Sequence, residues 1–400
     1  MNLTTPNLHI AVIGGGPAGL RAAEVAALAG ARVTVFDGKP SVGRKFLVAG
    51  KGGLNLTHNE SLDRFANRYS GTAQPAGWWA DVLTEFGPAE MCQWTAGLGI
   101  ETYQASSGRI YPQAMKAAPL LRRWVRRLRA LGVRFEMNHR WTSLAPGTPL
   151  RLGFSNNQSA CADAVILALG GASWPQTGSD GAWVQVLASL GVACHPLLAA
   201  NCGWECAWPP GFLAIAEGQP LKNLHVRAGE ALAIGELLVT RYGLEGGAIY
   251  QLGAALRAMP QPAIAIDFKP AHSHAQLAAK MESARRDFLA EARVRWKLSA
   301  AALAILGRQP YHDSEALARE AKHCVIALSG PRAIDEAISS AGGVCWDELD
   351  SSLMLKQIPG VFVAGEMIDW EAPTGGYLLQ GCLATATRAA RGALAAADKG

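Results

Sequence analysis

Gly14, Gly16 and Gly19 stand at G-x-G-x-x-G spacing, and Asp37 follows about twenty residues beyond them. These residue types suit one task, the holding of a dinucleotide. Gly14 permits a tight strand-to-helix turn, Gly16 lets backbone approach a pyrophosphate, and Gly19 lets helix and strand pack closely. Pro17 and Ala18 open a helix whose free N–H groups and partial positive charge face the phosphates. Asp37 can accept from ribose hydroxyls. The elements that must position these residues are in order around them. His9 to Ile13 is an apolar, β-branched run suited to a strand buried on both faces. Ala18 to Ala29 is a run of helix formers closed by Gly30, and Arg32 to Phe36 reads as a second strand. This stretch alone serves FAD and NAD equally.

The rest of the composition bounds the answer. The chain has 400 residues, half of them hydrophobic and 17% charged, enough for two or three domains with ample core. No apolar run reaches the eighteen or so residues of a spanning helix, so no membrane partner is expected. No basic region precedes the first apolar segment and Gly14 to Gly16 break it, which argues against a signal peptide. The eight cysteines form no CxxC or zinc-like cluster; the closest spacing is Cys202 and Cys206. Scattered thiols of a reducing compartment outweigh a redox pair, and no metal is expected. The reading is a cytoplasmic protein. The net charge of +5 is concentrated in Arg122, Arg123, Arg126, Arg127 and Arg129. Leu121, Trp124, Val125, Leu128 and Leu131 recur between them at helical spacing. A solvated basic helix face therefore outweighs a nucleic-acid patch.

After Asp37 and Gly38 the chain carries a glycine-rich stretch with a basic pair, Arg44-Lys45, and then Val48-Ala49-Gly50-Lys51-Gly52-Gly53-Leu54-Asn55-Leu56-Thr57-His58. Such a loop can lie against a flat, polar ligand. The stretch resembles the segment G-R-K-x-L-x-S-G-x-G-R-C-N-x-T-N of the HI0933-like, or BaiN-like, family of bacterial FAD-binding flavoproteins. Ala49, Gly53, Leu54 and His58 depart from it, marking a divergent branch. Gly108-Arg109-Ile110-Tyr111-Pro112 resembles the family's G-R-x-[FY]-P, and Gly235 to Gly247 its G-E-x-L-F-T-H-x-G-x-S-G-P, with Arg241, Glu245 and Gly247 departing.

Further along, Trp78 to Ile100 reads as helical, and Val133 to Met137 and Arg140 to Leu144 read as strands. The resemblance implies that the second of these runs past the adenine, with Trp141 touching it through its backbone; a plain core aromatic fits equally. Ala164 to Leu169 is an apolar strand ending in Gly170-Gly171, similar to the strand of this flavoprotein class that passes close to the cofactor. From Val192 to Ser340 prolines punctuate short strand-like runs, Ala275 to Ala304 reads as helical, and no second nucleotide turn recurs. The resemblance makes this an inserted domain facing the flavin and supplying substrate contacts. Gly360 to Glu366 then reads as a buried strand ending in Gly365-Glu366, followed by Asp369, by Thr374-Gly375-Gly376-Tyr377 and by a long alanine-rich helix through Ala397. A carboxylate there can accept from ribityl hydroxyls. The Thr374–Gly376 turn can bring N–H groups and a helix N-terminus to the N1–C2=O side of a flavin, stabilising its anionic reduced form. This distant half of the site selects FAD over NAD.

The expectation is thus an α/β protein. A Rossmann-like FAD-binding domain of the two-dinucleotide-binding-domain type, residues 1–191 plus 341–400, carries an inserted α+β domain, 192–340. Non-covalent FAD is the cofactor, since no His or Cys sits in a flavinylation motif, and NAD(P)H is a candidate electron donor. The function is exchange of a hydride between flavin N5 and a small organic substrate, by amine oxidation or reduction of an activated C=C bond. A tRNA-modifying flavoprotein and a non-catalytic flavin-binding protein are the alternatives. No catalytic acid or base is assigned; Tyr103, Tyr111, Arg109, Arg241, Tyr242 and Glu366 are polar candidates.

Overall fold

The computed structural model describes residues 8–50, 52–285 and 287–397; Lys51 of the glycine-rich stretch and Arg286 of the 275–304 run lie outside the described residues. The chain divides into two compact units, Met1–Leu198 with Ile338–Gly400, and Ala199–Ala337.

The first unit is built on a five-stranded sheet. Its spatial order is Val361–Val363, Ala164–Leu167, His9–Ile13, Arg32–Asp37 and Arg134–Met137, with every pair parallel. Parallel strands need both faces covered, which is why all of these but the edge strand Arg134–Met137 are largely apolar runs. Ile10, Ala11, Val12, Val35, Val165 and Phe362 are buried at its centre. The helix Pro17–Leu28 packs against the long helix Tyr377–Ala397, so the two ends of the chain share one layer. An antiparallel sheet of Trp141–Ala145, Leu150–Phe154 and Ser159–Ala162 joins through Phe154, whose ring stacks on Phe36 at 4.7 Å.

The helix Ala117–Ala130 buries Leu120, Leu121, Trp124 and Leu128 and turns Arg122, Arg126 and Arg129 to solvent. Two of its arginines work inward: Arg127 pairs with the buried Glu24 at 3.2 Å, and Arg123 donates to the carbonyl of Leu98 at 3.1 Å. Three expectations of secondary structure are corrected. The run 78–100 is two helices, Trp78–Glu85 and Pro88–Gly97, because Pro88 has no N–H to continue the first helix and starts a second at its N1 position. Arg44–Ala49 is a short helix rather than a loop, entered through Gly43 at φ +70°.

The second unit is a seven-stranded antiparallel sheet, in the order Cys324–Ala327, Ala263–Asp267, Pro220–Ala228, Ala231–Thr240, Gly243–Glu245, Trp204–Glu205 and Gly330–Pro331. Helices cover a core containing Leu237, Val239, Ile249, Ile266, Leu277 and Trp296. The run 275–304 is broken into His274–Lys280, Phe288–Arg295 and Ala300–Leu306. Ser273, Asp287 and Ser299 each accept a first-turn N–H, and such caps start new helices where composition alone suggests one.

Candidate functional site: a glycine-turn cleft and the Gly375 turn

At the carboxyl ends of its parallel strands the first unit opens a cleft enclosing about 1140 Å³ of non-atom space, solvent included. Three glycines shape it, each for a different reason. A Cβ on Gly14, at φ +107°, would stand 2.3 Å from the Ala168 carbonyl oxygen, where the two central strands end side by side. A Cβ on Gly19 would stand 1.8 Å from the Gly14 carbonyl oxygen, so helix and turn touch there. Gly16, the N-cap residue at φ −77°, has nothing within 4 Å of its Cβ direction. That opening is a cradle beside the helix N-terminus.

Asp37 is bound into the turn. Its two oxygens accept from the N–H groups of Gly15, at 2.7 Å, and Lys39, at 2.8 Å. Burial raises its carboxyl above the usual value, against the lowering effect of those hydrogen bonds. Each oxygen keeps a second lone pair for a ribose hydroxyl. Lys45 projects from its short helix to Glu366 at 2.9 Å and Ser173 at 2.6 Å, and the other Glu366 oxygen accepts from the Ser340 N–H at 2.8 Å. Sheet order brings these residues together although they are far apart in sequence.

Of the residues expected from the sequence, Gly14, Gly16, Pro17, Ala18, Asp37, Gly38, Arg44, Lys45, Trp141, Gly170 and Glu366 line the cleft. Gly19, Gly171, Gly365, Asp369, Thr374, Gly375, Gly376 and Tyr377 do not. A Cβ on Gly171 would stand 2.3 Å from the Ser340 Oγ and one on Gly365 2.8 Å from the Ala18 Cβ, both close-approach positions. Asp369 is 4% exposed and accepts from the Thr72 N–H at 2.9 Å. At the Gly375–Gly376 turn a Cβ on Gly376 would meet the Thr57 backbone at 2.6 Å. There the Tyr377 ring stacks on His58 at 5.6 Å and its hydroxyl donates to Glu60; burial and that carboxylate push the phenol well up.

Sequence reasoning missed His139, Arg140, Ser179, Asp180 and Cys382 in the lining. Arg140 pairs with Asp180 at 2.8 Å. Arg140 opens the run Arg140 to Leu144 read as a strand and His139 stands just before it, so their adjacency to Trp141 was the signal. Cys382 had no signal, lying in an alanine-rich helix; burial pushes its thiol up to about 12. Cys202 and Cys206 are buried free thiols pushed up to about 11 and about 12. Among the catalytic candidates, Tyr103 donates to the Met115 sulfur at 2.9 Å and stacks on Tyr111. Tyr242, in the second unit, donates to Glu245 and is pushed up to about 12 by burial and that carboxylate. Arg241 is exposed. Among the described residues no group of three or more His, Cys, Asp or Glu could hold a metal, and no helix is long and apolar enough to cross a membrane.

The residues present fit a dinucleotide. The Gly16 cradle is open, and the buried Ser179 Oγ and Trp141 Nε1, both on lining residues, have no partner. Partnerless buried polar atoms in a cleft mark where a polar ligand completes the hydrogen bonding. A glycine turn at the end of a parallel strand, with an acid closing the next strand, defines a Rossmann-type dinucleotide-binding protein.

The chain belongs to the HI0933-like family: the family model described as "HI0933-like protein Rossmann domain" matches residues 8–392. It is a flavin-dependent oxidoreductase. The 3-dehydro-bile acid delta(4,6)-reductase of Clostridium scindens is 29% identical over 413 residues, covering 96% of this chain and 98% of that protein. The ribosomal RNA dihydrouridine synthase of Escherichia coli is 23% identical over 405 residues, with 96% and 98% covered. The fold is shared with the solved 3-ketosteroid-delta4-(5alpha)-dehydrogenase from Rhodococcus jostii, at a TM-score of 0.53 and 17% identity, covering 100% of this chain and 99% of that one.

Proposed function

We propose that the first unit holds non-covalent FAD in the glycine-turn cleft and that the enzyme reduces an activated C=C bond of a small organic molecule. The observation that carries the cofactor reading is the open Gly16 cradle at a helix N-terminus, beside Asp37 and the Lys45–Glu366 pair. The Gly14–Gly16 turn would hold the pyrophosphate, Asp37 the adenosine ribose, and Glu366, oriented by Lys45, the ribityl hydroxyls. Bound there, a flavin supplies two-electron redox chemistry that no side chain can. Reduction is favoured over amine oxidation because the relative from Clostridium scindens, alike over nearly its full length, is named as a reductase of a 3-dehydro-bile acid. NADH or NADPH is the proposed donor, and the free thiols fit a cytoplasmic location.

The test is anaerobic reduction of the purified holoenzyme by NADH and NADPH, then oxidation by a panel of enones, with amines offered as alternative donors. Bleaching by a nicotinamide and recovery on an enone supports the reading. Bleaching by an amine alone reverses the direction, and a flavin that nothing reduces or reoxidises removes the enzymatic claim. A second reading, action on RNA, is favoured by the solvent-facing row Arg122, Arg126 and Arg129. It requires RNA affinity that falls with salt and is lost when those arginines are replaced.

A further inference from the structure

The loop from Ser173 to Gly181 follows the strand Ala164–Leu167 and its terminal Gly170. It is tied near both ends to lining residues of the cleft. Lys45 Nζ donates to Ser173 Oγ at 2.6 Å, and Arg140 pairs with Asp180 at 2.8 Å. Between these ties stands Ser179, 7% exposed and itself part of the lining. Its Oγ is buried and has no hydrogen-bond partner among the described residues. The hydroxyl is turned toward Gly170. Its Oγ lies 2.9 Å from the point where a Cβ on Gly170 would stand, and the Ser179 Cβ lies 3.6 Å from it. Glu366 Oε2 lies 3.9 Å from that same point, so a carboxylate and a free hydroxyl flank one glycine of the lining. The Gly170 carbonyl is taken by the Trp183 indole N–H at 2.8 Å, and each Glu366 oxygen already accepts one hydrogen bond. Ser179 is the group left unpaired. A buried hydroxyl without a partner is costly, and a ligand oxygen at this point relieves the cost.

Sheet order says which part of a dinucleotide passes there. Across the sheet Asp37 ends Arg32–Asp37, the Gly14–Gly16 turn follows His9–Ile13, Gly170 follows Ala164–Leu167, and Glu366 follows Val361–Val363. Gly170 thus stands between the turn assigned to the pyrophosphate and the carboxylate assigned to the ribityl hydroxyls. We propose that the Ser179 hydroxyl is a cofactor contact that holds the ribityl chain beside Gly170, together with Glu366. The inference rests on the FAD reading given above. A serine hydroxyl can donate to one ribityl oxygen while accepting from the next, which suits a polyol. The ties at Ser173 and Asp180 fix the loop before the cofactor arrives, so the contact needs little further ordering.

The test uses the full chain, wild type and S179A, each stripped of flavin and then titrated. FAD affinity is read by flavin fluorescence, ADP affinity by calorimetry, and apo stability by denaturant titration. In S179A FAD binds roughly two- to tenfold more weakly, the effect of one lost neutral hydrogen bond. ADP has no ribityl chain and binds S179A as tightly as the wild type. Apo S179A is no less stable, because the hydroxyl it lacks had no partner. Unchanged FAD affinity in S179A overturns the proposal. An equal loss for ADP would move the contact to the adenosine diphosphate half, and lower apo stability would make the hydroxyl structural; either overturns it too. A wild type that binds no FAD would instead overturn the FAD reading, so the two failures are distinguishable.

Discussion

Replacing Gly16 with valine separates the cofactor's needs from the fold's. Nothing lies within 4 Å of the added Cβ, and φ −77° is open to any residue. The apo protein should therefore keep its stability to within about 1 kcal/mol, the scale of losing a favourable N-cap residue. The branched side chain fills the cradle and displaces a pyrophosphate from the helix N-terminus. Losing two charge-assisted N–H contacts at roughly 1.5–3 kcal/mol each gives about 3–6 kcal/mol, or roughly 10²–10⁴ in FAD affinity. The contrast is Gly14→Ala, where φ is +107° and a Cβ would collide with the Ala168 carbonyl; that change should lower stability as well. FAD titration by flavin fluorescence, with thermal unfolding of each apo variant, reads both quantities. A Gly16→Val protein that binds FAD as tightly as the wild type would show that no pyrophosphate lies there.

Other changes follow from the same contacts. Asp37→Asn turns an amide toward one of the two N–H groups now accepted at 2.7 and 2.8 Å, costing about 1–3 kcal/mol of apo stability by denaturant titration at neutral pH. Because the folded Asp37 carboxyl is raised above 3.8, its contribution is full below that value and is lost as pH rises through the folded value; Asp37→Asn should remove this downward slope. Glu24→Leu strands Arg127 and the indole N–H groups of Trp94 and Trp124, now bound at 2.8 and 3.1 Å, and should cost about 3–5 kcal/mol in the same titration with no direct effect on the cleft. Lys45→Met leaves Glu366 without its cation and should weaken FAD binding more than Lys45→Arg does, measured by equilibrium titration.

The glycine turn was legible because everything it needs is local: Gly14, Gly16 and Gly19 are consecutive parts of one strand–turn–helix, and Asp37 ends the next strand. The wall formed by His139, Arg140, Ser179 and Cys382 was not, since it converges only through the sheet order and a helix from the far end of the chain. The Lys45–Glu366 pair was legible by halves; each partner could be picked out, but nothing in the sequence says that they touch. Asp369 is a different case: a carboxylate just past a strand end suggests a ligand, and the structure places it buried, accepting from the Thr72 N–H. Helix breaks at Pro88, Asp287 and Ser299 were marked by residues that stop or cap helices, and were overridden by the apolar runs around them.

The central claim is that one FAD lies in the cleft of the first unit. The direct measurement is the flavin released by acid from the purified protein, identified by chromatography and counted per chain after reconstitution. Close to one FAD per chain, all of it released, is the predicted result. FMN in its place, flavin that stays with the precipitated protein, or a chain that remains colourless in excess FAD would contradict it.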